Sequence, residues 1–578
     1  MELEQNIKNR IDNWLNGPYD EETKQILREL INQNKTEELT DAFYRNLEFG
    51  TGGLRGIMGV GSNRVNKYTI GAATQGLCNY LKSQFPNDKT KVAIAFDNRN
   101  NGEYFANITA DIFSANNIHV YIFESLRPTP ELSFAIRELG CKSGVMLTAS
   151  HNPKEYSGYK AYWSDGGQVI NPYDKGIIAE VEKITSINQI KFEGNPALVE
   201  IIGESIDKRF IEKVLSVSLN PDIVRLQKDL KIVFSPIHGT GVHLIPQALK
   251  ALGFENVNLV KEQCTIDGNF STVIYPNPEE KEALTLALKK AKEIDADLVM
   301  ATDPDGDRVG IAIKNNESEH VLLNGNQTGA LIFNYLIEQW KQNDKLHGNE
   351  YIVKTIVTTN LIDKIAETNG VKCYNVLTGF KYIGAIMSQL EGKSNFIAGA
   401  EESYGYLIGE HVRDKDAVVA CNMIAEMTAW YKNKGKTLYQ TLQAIYVKYG
   451  FYKEELISLT KSGKKGAEEI KQLMQSYREN PPTELGNKKI ICIKDYLKSK
   501  EQYPETGQEK TIDLPKSDVM QFITEEGFVI TARPSGTEPK IKYYISVNTE
   551  LRNIGDYHQK ENELNVLIQN IKTSLINK

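Results

Sequence analysis

Asp303, Asp305 and Asp307 stand at alternate positions in DLVMATDPDGDR (297–308), after the apolar stretch LVMA. Three carboxylates so spaced in a tight turn can converge on one hard cation, and an all-oxygen set favours Mg2+ or Ca2+. An EF-hand loop does not fit. With Asp303 at its first position, the sixth is Arg308 instead of Gly and the twelfth is Lys314 instead of Glu. Three aspartates leave ligand positions open, which suits a Mg2+ that also holds a phosphate. A second stretch, GVMLTASHNP (144–153), runs from apolar residues into Ser150 and His151. No G-x-S-x-G elbow surrounds the serine, so a hydrolase nucleophile is not indicated. A serine that carries a phosphoryl group beside Mg2+ makes chemical sense, because metal and backbone N–H groups would offset its charge of roughly −2. His151 is placed for proton handling or phosphate binding, and Lys160 could add positive charge. Taken alone, TASHN reads equally well as an ordinary strand-end turn.

Arg533-Pro-Ser-Gly-Thr-Glu-Pro-Lys540 has the parts of a phosphate cradle without the Walker spacing. Gly536 lets the backbone approach an anion, Ser535 and Thr537 add hydroxyl donors, and Arg533 supplies a guanidinium fork. Ala400-Glu401-Glu402-Ser403-Tyr404-Gly405 carries acceptors suited to sugar hydroxyls, and Thr378-Gly379-Phe380-Lys381 is a further candidate. Both are weak signals alone. FGTGGLRG (49–56) sets Arg55 in a glycine-rich loop as another candidate anion contact.

These groups need elements to hold them. Three apolar runs, KVAIAFDNR (91–99), KIVFSPIHGTG (231–241) and YIVKTIVTTN (351–360), are rich in β-branched residues and lead toward helix-like stretches. Each is followed by a second strand-like run that ends in a polar cluster: GVMLTASHNP, DLVMATDPDGDR and NFIAGAEESYG (395–405). Strands alternating with helices imply βαβ units and mainly parallel sheets, with functional groups beyond the carboxyl ends of the strands. The pattern is an internal repeat, one scaffold given three different chemistries. Ahead of it the spacing predicts two helices, one on Ile7, Ile11, Trp14 and Leu15, the other on Ile26, Leu27, Leu30 and Ile31. Gly17 and Pro18 separate them, and Asp20 is the expected N-cap of the second. From about 453 the pattern changes to a smaller α+β domain that ends in a helix around 559–576.

Length and composition set the frame. The 578 residues exceed one core and suggest several domains, and 40% hydrophobic with 25% charged residues is ordinary for globular chains. A net charge of −7 argues against bulk nucleic-acid binding, since phosphate backbones attract positive surfaces. The six cysteines are widely scattered with no CxxC pair, as in reduced cytosolic proteins. The N-terminal stretch is charged throughout, without an apolar leader core, and no apolar run approaches membrane-spanning length. A cytoplasmic protein is expected; the sequence carries no signal for oligomeric state.

Together, in this order, the motifs resemble those of the α-D-phosphohexomutase superfamily, and specifically the phosphoglucomutases. TASHNP with Lys160 is similar to the phosphoserine loop, DPDGDR to the Mg2+ loop, AEESYG to the sugar loop and RPSGTEPK to the phosphate loop. The helical extension and FGTGGLRGIMG resemble the subgroup that includes phosphopentomutases. The resemblance covers essentially residues 40–578. It implies three similar α/β domains with mixed, mainly parallel sheets plus a C-terminal α+β domain around a central cleft, with boundaries at 1–208, 209–325, 326–452 and 453–578. It implies that Ser150 carries the phosphoryl group and ligates Mg2+ with Asp303, Asp305 and Asp307. Arg55, His151, Lys160 and Arg308 would serve catalysis. Glu401 and Ser403, with Thr378, Gly379, Lys381 and Lys415, would read the sugar. Arg533, Ser535, Gly536 and Thr537 would hold the phosphate not being transferred.

The implied reaction interconverts glucose 1-phosphate and glucose 6-phosphate through glucose 1,6-bisphosphate, acting as intermediate and activator. Many phosphomannomutase/phosphoglucomutase members have a GExSGH sugar loop. The AEESYG here is nearer the GEESFG of phosphoglucomutases, which favours glucose and leaves pentose phosphates open. Phosphopentomutase or phosphomannomutase activity is the alternative, and a non-catalytic phosphosugar-binding protein a weaker one. A kinase would show a nucleotide loop, and none is present; a phosphatase would need to admit water, whereas a four-domain cleft suits its exclusion.

Overall fold

The computed structural model describes residues 3–50, 52–461, 463–535 and 540–576. Helices Gln5–Asn16, Glu21–Asn32 and Thr36–Phe43 form the N-terminal extension. Asp20 caps the second helix as expected, its carboxylate accepting from the Thr23 N–H at 2.7 Å. Trp14 stacks on Tyr19 and meets Phe43 and Tyr68 edge-on, which fastens the extension to the first sheet unit. The second helix departs from the expected stripe. Leu27 is buried, but Ile26 and Ile31 are 41% and 36% exposed. The small extension offers that helix only a narrow contact, so one line of side chains turns inward.

The first sheet comprises β1 (Gly53–Ile57), β2 (Lys91–Phe96), β3 (His119–Phe123), β4 (Ser143–Leu147), β5 (Tyr156–Trp163) and β6 (Val199–Ile202), in spatial order β1-β5-β4-β2-β3-β6. The second has β7 (Ile232–Ser235), β8 (Val257–Leu259), β9 (Leu298–Thr302), β10 (Val309–Lys314) and β11 (His320–Leu323), ordered β11-β10-β9-β7-β8. The third has β12 (Glu350–Thr355), β13 (Lys372–Val376), β14 (Asn395–Glu401) and β15 (Gly405–Ile408), ordered β13-β12-β14-β15.

One four-strand arrangement recurs in all three. A central strand (β2, β7, β12) pairs in parallel with its successor on one side and with a third strand (β4, β9, β14) on the other. An antiparallel return strand (β5, β10, β15) then lies beside the third. The two sets of runs read from the sequence are these central and third strands. Strands β4 and β9 are buried along their whole length, as sheets covered by helices on both faces require.

The fourth sheet is antiparallel: β16 (Phe451–Thr460), β17 (Glu484–Leu485), β18 (Lys488–Asp495), β19 (Lys500–Tyr503), β20 (Gln508–Thr511), β21 (Met520–Thr524), β22 (Val529–Pro534) and β23 (Lys540–Thr549). Helices Gly463–Glu479 and Tyr557–Ile576 pack on it. A continuous apolar core runs from one face of the first sheet through the second and third into the fourth. No helix among the described residues is long and apolar enough to cross a membrane.

Candidate active site

Each third strand hands its chain to a short hairpin loop at its carboxyl end, and these loops meet. Ser150 lies in the β4–β5 loop, Asp303, Asp305 and Asp307 in the β9–β10 loop, and Ser403 in the β14–β15 loop, with Glu401 closing β14. The second and third loops are joined by a bridge between Arg308 and Gly405 and by the Val309 N–H on the Tyr404 carbonyl at 3.1 Å.

Ser150 is almost fully buried and adopts φ +52, in the left-handed region. Its backbone N–H donates to Thr148 Oγ1 at 2.8 Å. Its hydroxyl donates to Asp303 Oδ2 at 3.0 Å and has His151 Nδ1 at 3.3 Å. The serine and the aspartates, distant in sequence, thus touch directly.

One carboxylate oxygen from each of Asp303, Asp305 and Asp307 lies within 4.8 Å of the others, all three residues buried. Asp303 Oδ1 accepts from the backbone N–H groups of Asp307 and Arg308, which shapes the turn. Asp305 Oδ1 and Asp307 Oδ1 are buried without a hydrogen-bond partner among the described residues. Unpaired buried carboxylate oxygens are costly, and converging ones are a ligand set for a hard divalent cation. The residues therefore fit Mg2+.

Cations surround them. Lys160 Nζ, on β5, is 2.6 Å from Asp305 and 3.5 Å from Asp307. Lys415 Nζ lies 3.1 Å from Asp307 and 3.0 Å from Asp414. Burial and the neighbouring Asp305 and Asp307 push the Asp303 carboxyl well above the usual range. Burial acts the same way on Asp305, but Lys160, Asp303 and Lys415 together outweigh it and hold that group below the range. Burial opposes the charge of Lys160, and Asp305 and Asp307 more than restore it. Burial, then Arg308 and Arg55, hold His151 well below its ordinary value, so its ring is neutral.

Arg55, on β1, donates to Asn152 Oδ1 at 2.9 Å and so stands beside the serine loop. Arg308 Nη1 donates to Glu279 at 2.7 Å. Glu401 Oε1 accepts from the Gly379 N–H at 2.8 Å, which joins two stretches read separately in the sequence. Thr378 Oγ1 is buried with no hydrogen-bond partner among the described residues. Lys381 lies 5.4 Å from the Tyr382 ring centre. Lys415, expected to help read the sugar, has its ammonium on Asp307, while its stem fills the space beside Gly405. Arg533 on β22 donates to Tyr544 Oη at 3.4 Å, and the Ser535 N–H donates to the Lys540 carbonyl at 2.7 Å. Gly536 and Thr537 lie outside the described residues.

Sequence reasoning missed Glu279, Asp414, Thr129 and Lys542. Thr129 Oγ1 donates to Asp305 Oδ2 at 3.1 Å from the start of helix Thr129–Glu138. Lys542 is the strand partner of Arg533, and its charge adds to the depression of His151. Period-two spacing in KIKYY could have pointed to Lys542; nothing local marks Thr129.

Phosphoglucomutase/phosphomannomutase alpha/beta/alpha domains I, II and III match residues 46–188, 208–316 and 324–449, more than half of the chain. The chain belongs to the phosphoglucomutase/phosphomannomutase family. Membership makes it an enzyme of the phosphohexomutase class. A phosphoglucomutase of Staphylococcus haemolyticus (strain JCSC1435) is 36% identical over 543 residues, covering 93% of this chain and 96% of the relative. One of Staphylococcus aureus (strain MRSA252) is 38% identical over 526 residues, covering 90% and 93%. Among solved structures, pp63/parafusin (phosphoglucomutase) from Paramecium, in an open form, superposes with a TM-score of 0.66 at 19% identity, covering 91% of this chain and 95% of that one. A phosphoglucomutase/phosphomannomutase family protein from Burkholderia thailandensis gives 0.63 at 18% identity, with 89% and 96% covered. These two likenesses show the fold. The expected superfamily and fold class hold: three repeated mixed α/β units and a sheet-rich fourth.

Proposed function

We propose that the chain interconverts glucose 1-phosphate and glucose 6-phosphate, with Ser150 carrying the phosphoryl group and glucose 1,6-bisphosphate as the intermediate. The observation that supports it is the 3.0 Å contact between the Ser150 hydroxyl and Asp303, inside a cluster of converging carboxylates. A non-catalytic phosphosugar binder has no need of a serine buried against that cluster. The staphylococcal relatives named phosphoglucomutase support glucose as the sugar.

In the forward direction the 6-hydroxyl oxygen of glucose 1-phosphate attacks the phosphorus on Ser150. The new P–O bond forms as the P–Oγ bond breaks, and the hydroxyl proton leaves to a base. The bisphosphate then turns, Ser150 Oγ bonds to the phosphorus on the 1-oxygen as the P–O1 bond breaks, and the base returns its proton to O1, which leaves glucose 6-phosphate. Asp303, Asp305, Asp307 and the phosphoryl-bearing Ser150 would hold Mg2+, which supplies positive charge against the phosphoryl oxygens. The His151 ring, 3.3 Å from Oγ, can share a hydrogen bond with the serine oxygen there. Lys160, kept charged by Asp305 and Asp307, contributes electrostatic stabilisation. Arg55 and Arg308 add charge at the loop margins. Glu401, Ser403 and Thr378 receive sugar hydroxyls, and Arg533 with Ser535, Gly536 and Thr537 receives the idle phosphate.

Intact-mass analysis after incubation with glucose 1,6-bisphosphate is expected to show one added phosphoryl group, absent in Ser150→Ala. That variant is expected to lose turnover. Retention of more than about a tenth of the activity, a loss of only ~1.4 kcal/mol in barrier, would remove Ser150 from the role. A kcat/KM for ribose 1-phosphate far above that for glucose 1-phosphate would overturn the substrate.

A further inference from the structure

Ser150 is held in a left-handed backbone conformation, and such a conformation in a non-glycine residue persists only when its surroundings impose it. The turn also swings the carbonyls of Ser150, Asn152, Pro153 and Tyr156 toward one point. A single side chain stands there. Arg99 Nη2 donates to the Ser150 carbonyl at 2.6 Å and to the Asn152 carbonyl at 2.5 Å. Its Nη1 donates to the Pro153 carbonyl at 2.7 Å and to the Tyr156 carbonyl at 3.0 Å. The guanidinium is fixed in turn. Its Nε lies 3.3 Å from Asp97 Oδ2, with both side chains fully buried. The same Asp97 oxygen accepts from Thr148 Oγ1 at 2.6 Å, and Thr148 Oγ1 accepts from the Ser150 N–H. Asp97 thus ties together the two supports of the serine backbone, one at its N–H and one at its carbonyl.

Arg99 also meets the second unit. The buried Phe270 ring lies 5.2 Å from its Cζ, and neighbouring Asn98 donates to the Asp267 carbonyl at 3.0 Å. Residues 267–270 belong to the unit that carries the three aspartates. Seating of that unit therefore bears on the guanidinium that shapes the serine loop.

We infer that Arg99 is a positioning residue for phosphoryl transfer: with Asp97 it sets the Ser150 Oγ against the aspartate cluster and registers the first unit on the second. The inference rests on the mutase reading. It follows from a planar fork that satisfies four backbone acceptors at once, which an ammonium cannot copy. A misplacement of about 1 Å at a transferring oxygen can cost on the order of a hundredfold in rate.

The test compares Arg99→Lys and Asp97→Asn with the unaltered chain. Expected for both variants are a retained fold with a lowered melting temperature, because buried carbonyls and a buried ion pair lose a partner, a KM for glucose 1-phosphate close to the unaltered value, and faster amide exchange concentrated in residues 148–156. Phosphoryl uptake onto Ser150 from glucose 1,6-bisphosphate is expected to fall by about a hundredfold in Arg99→Lys. The double variant is expected to lose little beyond the worse single one, because both act through one loop. A folded Arg99→Lys that takes up phosphoryl groups at the unaltered rate overturns the inference, and so does a defect confined to KM. If Arg99→Lys fails to fold, Asp97→Asn carries the same two outcomes. If the unaltered chain takes up no phosphoryl group at all, the mutase reading falls, and the exchange measurement alone decides whether Arg99 shapes the loop.

Discussion

Glu131 lies in helix Thr129–Glu138, whose first residue holds Asp305. Both of its carboxylate oxygens are buried without a hydrogen-bond partner among the described residues, and Arg127 Nε stands 3.7 Å away, committed to Asp207 at 2.9 Å. Burial, then the neighbouring Asp207, push Glu131 well above its ordinary value of 4.5. The sign follows. Below that value the group is protonated in both folded and unfolded chains and has no effect. Above it the unfolded chain ionises while the folded one does not, and stability falls by about 1.4 kcal/mol per pH unit until the folded group also ionises. Glu131→Gln is therefore expected to raise the melting temperature near neutral pH and to leave it almost unchanged in acid below 4.5. A neutral-pH loss would mean that Glu131 makes a stabilising contact, with Arg127 or with Asp207, that Gln does not replace. None of this was legible in the sequence, where Glu131 is one acid among many. Ser150 and the aspartates were legible because one short stretch holds each set. The contact between them, and the placement of Lys415 on Asp307, depend on loops from three units and leave no local trace.

At the scale of elements, β1 is the edge strand that brings Arg55 to the serine loop. It pairs with β5 so that Gly53 faces Lys160 and Arg55 faces Gly158. Gly53 has φ +144, and a Cβ there would stand 1.9 Å from the Tyr159 carbonyl oxygen. Gly53→Ala must push β1 off β5. Overpacking of this kind costs about 1–3 kcal/mol before the backbone strain is added. The expected result is a lower melting temperature together with a reduced kcat, since Arg55 and Lys160 move with the two strands. An unchanged melting temperature would show that β1 adapts freely and does not fix Arg55. The repeat was legible because buried strands are written as unbroken apolar runs, and a polar cluster at the end of each marks a carboxyl-terminal loop. The return strands β5, β10 and β15 carry no comparable mark. Their order came only from the structure, and so did the hairpin geometry that lets three loops converge.

At the scale of the whole molecule, the fourth unit is fastened to the third. Gln521 Nε2 donates to the Ile356 carbonyl at 2.9 Å, and Ile356, Val357 and Leu377 form one apolar cluster with Tyr496, Val519 and Tyr544. Tyr544 in turn accepts from Arg533, so the β22–β23 hairpin is carried by the same joint. In the proposed reaction the bisphosphate turns half round between two transfers without being lost. The hairpin must therefore accept one phosphate before the turn and the other after it. Arg533→Ala removes a charge-assisted contact worth roughly 1.5–3 kcal/mol. The bisphosphate is then expected to escape more often before the second transfer. Each escape leaves Ser150 without its phosphoryl group, so activity is expected to run down during turnover and to recover when glucose 1,6-bisphosphate is added. Progress curves with and without the bisphosphate check this. A raised KM with linear progress and no recovery would show that Arg533 binds substrate but does not retain the intermediate. The bisphosphate would then be held by the first three units alone.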